Sequence, residues 1–392
     1  MSSSNKQSLQ QHVAADPSSR RTREARAEQI LSSSLGLTDL DDLDVQLQQQ
    51  YQQPKISSAD AQKQEEGRVF ADTNSRFFTL PSCPAEPVYP TTTRLMDLLD
   101  NWSPDNVTIP ARHHNTLCRF DYQRDLAQAK RYRDAEVPFI VHNIPAIDAT
   151  AGKWSTPGYL VERLGVNQTY DVEVSKTNHF LYYAKSRNPP ADYQPPTRVE
   201  SWTYGEWLEK VQQLEEIRSN SPDSAADVEH YYFRASESSP PIQQDMALFS
   251  KYTSNFFISE PSLSRGVHCR FGAPAVLADA HYDGHNNMVA CLAGTRRWIL
   301  SPPKECQNAY LRPPGDLSAR HSQVDWSAPD LEKYPKFGEM QGLETILTAG
   351  EVLYVPSFWI HFIANLDVNA QCNVRGAKAR VGKDEVVACG FY

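Results

Sequence analysis

Long apolar runs are missing from this chain. No stretch approaches the roughly 18 consecutive apolar residues that a membrane-spanning helix needs. The opening MSSSNKQSLQQ lacks the apolar centre of a secretory signal. A basic excess is missing too: 39 Lys and Arg face 48 Asp and Glu, a net charge of -9. A general nucleic-acid binder needs a phosphate-neutralising face, so this balance argues against one while leaving room for a local basic groove. The seven cysteines (Cys83, Cys118, Cys269, Cys291, Cys306, Cys372, Cys389) form no CxxC pair and no zinc spacing. Scattered and odd in number, they read as free thiols in a reducing compartment. Together these absences lead us to expect a soluble protein of the cytoplasm or nucleus. There is also no phosphate-cradling glycine loop and no internal repeat.

What is present falls into three parts. Residues 1–66 are poor in aromatics and rich in Ser, Gln and charge, with the Gln-heavy run VQLQQQYQQ. Such a segment buries too little apolar surface to offset its ordering entropy, so a disordered arm is expected, with one helical stretch over Arg20 to Leu31. Residues 67–136 carry short helical patterns, RLMDLLDN and DYQRDLAQAKRYRD, interrupted by prolines, and read as a helical extension on a larger body. Residues 137–392 are strand-like: PFIVHNI, TYDVEVS, HFLYYA, HYYFRA, VHCRF, MVACLAG, RRWILSP, EVLYVP and HFIANL are bounded by turn residues. Two helices interrupt them. One opens on a Thr203/Glu206 capping box and carries Trp207, Val211, Leu214 and Ile217 on one face; the other is expected near Gln243 to Lys251. Many short strands with few helices predict a mainly β sandwich or barrel with helical decoration.

The chemistry-bearing segment is Ala280-His281-Tyr282-Asp283. In a strand, residues two apart share a face, so His281 and Asp283 can converge on one point. A third ligand is offered by His361, at the end of GEVLYVPSFWIH, just past the strand that stops at Pro356. Two histidines and one carboxylate on one face of a metal leave open positions, the facial triad of non-haem Fe(II) oxygenases. An HxD alone is weak; followed by G-x-V-L-Y-V-P-x-x-W-x-H it is a specific signal.

The stretches HYDGHNNMVACLAGTRRWILSPP, SQVDWSAPDLEKYPKF and GEVLYVPSFWIH resemble the JmjC oxygenases of the cupin-8 branch. That branch includes the asparaginyl hydroxylase that inhibits hypoxia-inducible factor. The resemblance runs from about Val137 to the C-terminus and implies a double-stranded β-helix, a cupin-like jelly roll with iron at its mouth. It also implies chemistry in which Fe(II), 2-oxoglutarate and O2 hydroxylate a substrate with release of succinate and CO2. His281, Asp283 and His361 match the iron ligands. Arg296, two past Gly294, stands where the family binds the 2-oxoglutarate carboxylate, a position that holds lysine in the hydroxylase just named; an inward Arg297 is the competing register. Tyr232, or Tyr231 if the register slips, matches the tyrosine on the same carboxylate. Asn287 and Asn373 match polar neighbours of iron and co-substrate. Ala278 replaces a family Ser or Thr, and the long C-terminal helices through which some relatives dimerise are not found, which suggests a monomer or weak dimer. His285 is expected at the rim, His321 carries no assigned chemistry, and Trp298 and Trp359 are expected to pack the barrel. The leading expectation is hydroxylation of a protein or peptide side chain. Lysine demethylation, oxidation of a tRNA base, or a non-catalytic cupin-like binding module are the competing readings.

Overall fold

The computed structural model describes residues 83–183, 189–220, 228–249, 254–378 and 381–391, all within the compact unit Phe77–Tyr392. The arm at 1–66, with its Arg20 to Leu31 helix, lies outside the described residues.

The fold is mainly β, a jelly roll as expected. In chain order the strands are β1 (Thr93–Arg94), β2 (Cys118–Asp121), β3 (Phe139–His142), β4 (Tyr170–Ser175), β5 (His179–Phe180), β6 (Arg198–Trp202), β7 (His230–Ser236) and β8 (Val267–Gly272). They continue with β9 (Leu277–Tyr282), β10 (His285–Ala293), β11 (Thr295–Ser301), β12 (Gln341–Thr348), β13 (Val352–Val355), β14 (Ile360–Asn365) and β15 (Asn369–Lys378). One sheet runs β1-β12-β11-β14-β9-β5 and the other β2-β3-β13-β10-β15-β8-β7-β4-β6. The helices are α1 (Leu95–Asn101), α2 (Leu126–Asp134), α3 (Pro145–Trp154), α4 (Tyr159–Leu164), α5 (Tyr204–Asn220), α6 (Pro240–Asp245) and α7 (Lys383–Ala388).

Alternation along the strands sorts side chains into three apolar layers. Phe233, Cys269, Phe271, Ala290, Cys372 and Val374 face outward from the larger sheet into a core shared with Tyr132, Trp154 and Trp207 of the helices. Ile299, Phe362 and Ala364 face outward from the smaller sheet towards Leu95 and Leu98 of α1. Val289, Trp298, Leu300, Leu353, Trp359 and Ile363, drawn from both sheets, fill one half of the space between them. By period-two alternation the other half receives the interleaved positions Tyr232, Arg234, His268, Arg270, Asn287, Arg296, His361, Gln371, Asn373 and Arg375, which makes it polar.

The Thr203/Glu206 box caps α5: the Thr203 N–H donates to Glu206 Oε2 at 2.7 Å, and the Glu206 N–H to Thr203 Oγ1 at 3.2 Å. Trp207, Val211 and Leu214 are buried, whereas Ile217 is partly exposed at the helix end. The second helix departs from expectation. It covers Pro240–Asp245, followed by a 3-10 turn at Ala247–Phe249, because the Pro240-Pro241 pair starts it at the first helical position.

The cysteine reading is corrected. Cys269–Cys372 and Cys306–Cys389 form disulfides, leaving Cys83, Cys118 and Cys291 free. Cys269 and Cys372 are direct cross-strand partners of β8 and β15, a proximity set by register between segments 103 residues apart.

Candidate metal centre

β9 and β14 pair antiparallel with His281 directly opposite His361. Beyond that pair β9 carries one extra residue, so Ile363 faces Ala278. This bulge lets Ala278 and His281 both face the interior and turns Asp279 outward, where its carboxylate meets His179 Nδ1 at 2.6 Å. The end of β9 is tied to the turn before β14: the Phe358 N–H donates to the Asp283 carbonyl at 2.7 Å. These ties bring ligand atoms of His281, Asp283 and His361 within 4.8 Å of one another.

The donors suit a divalent cation. Nδ1–H of His281 donates to the Asp279 carbonyl at 2.7 Å, and that of His361 to the Trp359 carbonyl at 2.9 Å. Each ring therefore keeps its Nε2 lone pair, the tautomer that a ligating histidine needs. Burial pushes both imidazoles below their ordinary range, which keeps them neutral. Burial alone would raise the Asp283 carboxyl, but the Arg375 guanidinium at 2.7 Å, helped by Arg320 at 3.5 Å, holds it far below the usual range. Two neutral nitrogens and one anionic oxygen fit Fe(II).

Behind the triad lies a polar relay: Asn373 donates to Asn287 Oδ1 at 2.9 Å, and Asn287 Nδ2 approaches Asp283 Oδ2 at 3.4 Å. Deeper in the barrel, Arg296 is fully buried. It donates to the Tyr232 hydroxyl at 3.1 Å, to Asn369 Oδ1 at 2.5 Å and to the Arg270 carbonyl at 2.9 Å. Gly294, at φ 66°, makes the tight β10–β11 turn; a Cβ there would meet the Val368 carbonyl at 2.6 Å. Arg297 faces the opposite side and pairs with Glu344 at 2.7 Å, and Tyr231 likewise turns away, packing on Trp202. The structure thus brings Arg296 and Tyr232 together inside the barrel. Trp298 and Trp359 pack the interior, and His285 lines the mouth.

Several residues escape a reading by sequence. His321, on the loop before SQVDW, stacks on His281 with ring centroids 4.8 Å apart, and burial brings its pKa down to about 4. Arg320 and Arg375 reach Asp283 from different segments. Arg270 lies half-buried on the interior face of β8; desolvation first, then Arg234, lowers its pKa to about 10, and it has no carboxylate partner among the described residues. Only the alternation of VHCRFG hinted at its inward position.

Comparison with known proteins agrees with this architecture. The cupin-like domain family matches residues 125–374, and the chain belongs to that family. Its relatives include the tRNA wybutosine-synthesizing protein 5 of Mus musculus, 28% identical over 152 residues, which are 37% of this chain and 46% of that protein. Lysine-specific demethylase 8 of Xenopus tropicalis is 32% identical over 105 residues, 26% of this chain and 23% of that protein. JmjC domain-containing protein D of Dictyostelium discoideum is 33% identical over 100 residues, 26% and 22% respectively. Each match spans less than half of the relative's length. Among the described residues, no helix is long and apolar enough to cross a membrane.

Proposed function

We propose that this chain is an Fe(II)- and 2-oxoglutarate-dependent oxygenase that hydroxylates a protein or peptide side chain. The observation that carries this reading is the convergence of His281, Asp283 and His361 at one end of an interior whose deeper part holds Arg296 against Tyr232. Bound iron would supply the activation of O2, with 2-oxoglutarate as reductant. The chain's own residues do the rest. The two carbonyl-anchored imidazoles present fixed Nε2 lone pairs, and Asp283 supplies the charge. Arg296, with two donors beyond those already engaged, and Arg270, a half-buried guanidinium without a carboxylate partner among the described residues, support capture of a dicarboxylate. With Ala278 offering no hydroxyl, the guanidinium groups supply the donors. The apolar wall of Trp298, Trp359 and Ile363 keeps water from that half of the barrel.

The test is succinate formation from 2-oxoglutarate by the purified chain, dependent on added Fe(II) and on air, followed by a product screen on peptides, histones and tRNA. The names of two relatives, a tRNA wybutosine-synthesizing protein and a lysine-specific demethylase, make tRNA and methyl-lysine the alternatives in that screen. Absence of turnover with the metal bound would favour a non-catalytic binding module.

A further inference from the structure

The mouth of the barrel opens into a cavity of about 670 Å³ whose polar lining is Arg265, His268, Asp283, His285, Arg320 and Arg375. Among the described lining residues, three guanidinium groups face one carboxylate, with two imidazoles beside them. That carboxylate belongs to the candidate metal ligand, and a bound cation would claim its charge. Arg320 and Arg375 are about one-third exposed and, among the described residues, pair with no acid other than Asp283. Arg265 is exposed and pairs with no carboxylate among the described residues. Beside them Glu237 lies against Gly266 and accepts from the Val267 N–H at 3.3 Å. A cationic mouth is not a by-product of composition, since the whole chain carries -9.

We propose that the segment presented to this mouth is an acidic peptide, its Asp or Glu side chains held by Arg265 and Arg320 while a neighbouring residue reaches the metal. This rests on the oxygenase reading of the same site and adds the class of substrate. A methylated lysine would bring a cation into a cavity already rich in cations, at a like-charge cost. An extended polynucleotide would meet the repulsion of the chain's net negative charge outside the mouth, whereas a short acidic segment needs only the local cluster. Arg296 and Arg270 lie on the deeper interior face, so the charge at Arg265 and Arg320 is separate from that available to a small dicarboxylate.

The experiment uses the full chain, loaded anaerobically with Fe(II) and 2-oxoglutarate, and fluorescence anisotropy of three labelled probes of equal length. These are a peptide with Glu and Asp flanking a central Asn, the same peptide with Lys flanks, and a single-stranded oligouridine. The acidic peptide is expected to bind about tenfold or more tightly than the Lys version and to weaken as salt is raised. Arg265→Glu and Arg320→Glu should each lose about tenfold, and the Lys substitutions should retain most of the binding. Thermal melts identify any variant that fails to fold, in which case Arg265→Gln and Arg320→Gln replace it. Equal or better binding of the Lys peptide, preference for oligouridine, or indifference to charge reversal would each overturn the proposal. Succinate formation in air by the same preparations separates the two readings: turnover without acidic preference sinks this inference alone, and acidic preference without turnover sinks the oxygenase reading alone.

Discussion

Arg296 and Arg297 are consecutive on β11 and serve opposite faces of one sheet. Arg296 enters the barrel and donates to Tyr232, whereas Arg297 leaves it, pairs with Glu344 and stacks over the Trp102 ring at 4.1 Å. The two alanine variants should therefore fail differently. Arg296→Ala should raise the KM for 2-oxoglutarate by about ten- to a hundredfold, because one side of a buried charge-assisted contact is lost. Arg297→Ala should leave that KM nearly unchanged in folded protein and cost about 3–5 kcal/mol of stability, since Glu344 is left buried and unpaired. Steady-state kinetics with urea denaturation of both variants decide it. A KM rise confined to Arg297→Ala would contradict the facing assigned here.

The disulfides predict a thiol count. Denatured without reductant, the chain should expose three alkylatable cysteines, Cys83, Cys118 and Cys291, and after reduction all seven. Cys269→Ser with Cys372→Ser should lower stability by about 4 kcal/mol, given the long loop that the bond closes. Seven reactive thiols without reductant would restore the free-thiol reading.

What the sequence made legible was local. HxD needs only the two-residue period of a strand, and the Thr203/Glu206 box needs three residues of one helix turn. The distal His361 was legible because its flanking pattern is specific. What stayed hidden depends on register between distant strands: the Cys269–Cys372 pairing, the approach of Arg375 and Arg320 to Asp283, and the stacking of His321 on His281. β12 went unread as well, although GLETILT is buried along most of its length, because Glu344 in its middle looks like a solvent residue until Arg297 is seen beside it.

His230 gives a pH dependence of folding. It is buried at the start of β7, its Nδ1 has no partner among the described residues, and burial, then Arg218, lowers its pKa to about 4. The folded state keeps the ring neutral while the unfolded chain takes up a proton at the ordinary value near 6.5. Stability is therefore fully present above the unfolded value and is lost as pH falls from about 6.5 towards 4, by roughly 1–3 kcal/mol. His230→Gln should flatten that part of the urea-stability profile. An unchanged slope would show that the proton is taken up elsewhere.

The account stands or falls on the triad. Anaerobic titration of Fe(II) into the full chain, monitored by calorimetry beside His281→Ala, Asp283→Ala and His361→Ala, measures it directly. Two remaining donors compete poorly with water for Fe(II), and strand packing rests mainly on apolar burial, so the variants should fold normally and lose the ion. The account predicts one ion bound per wild-type chain and at least a hundredfold weaker binding, about 3 kcal/mol, in each folded variant. Wild-type affinity retained in any folded variant would contradict it.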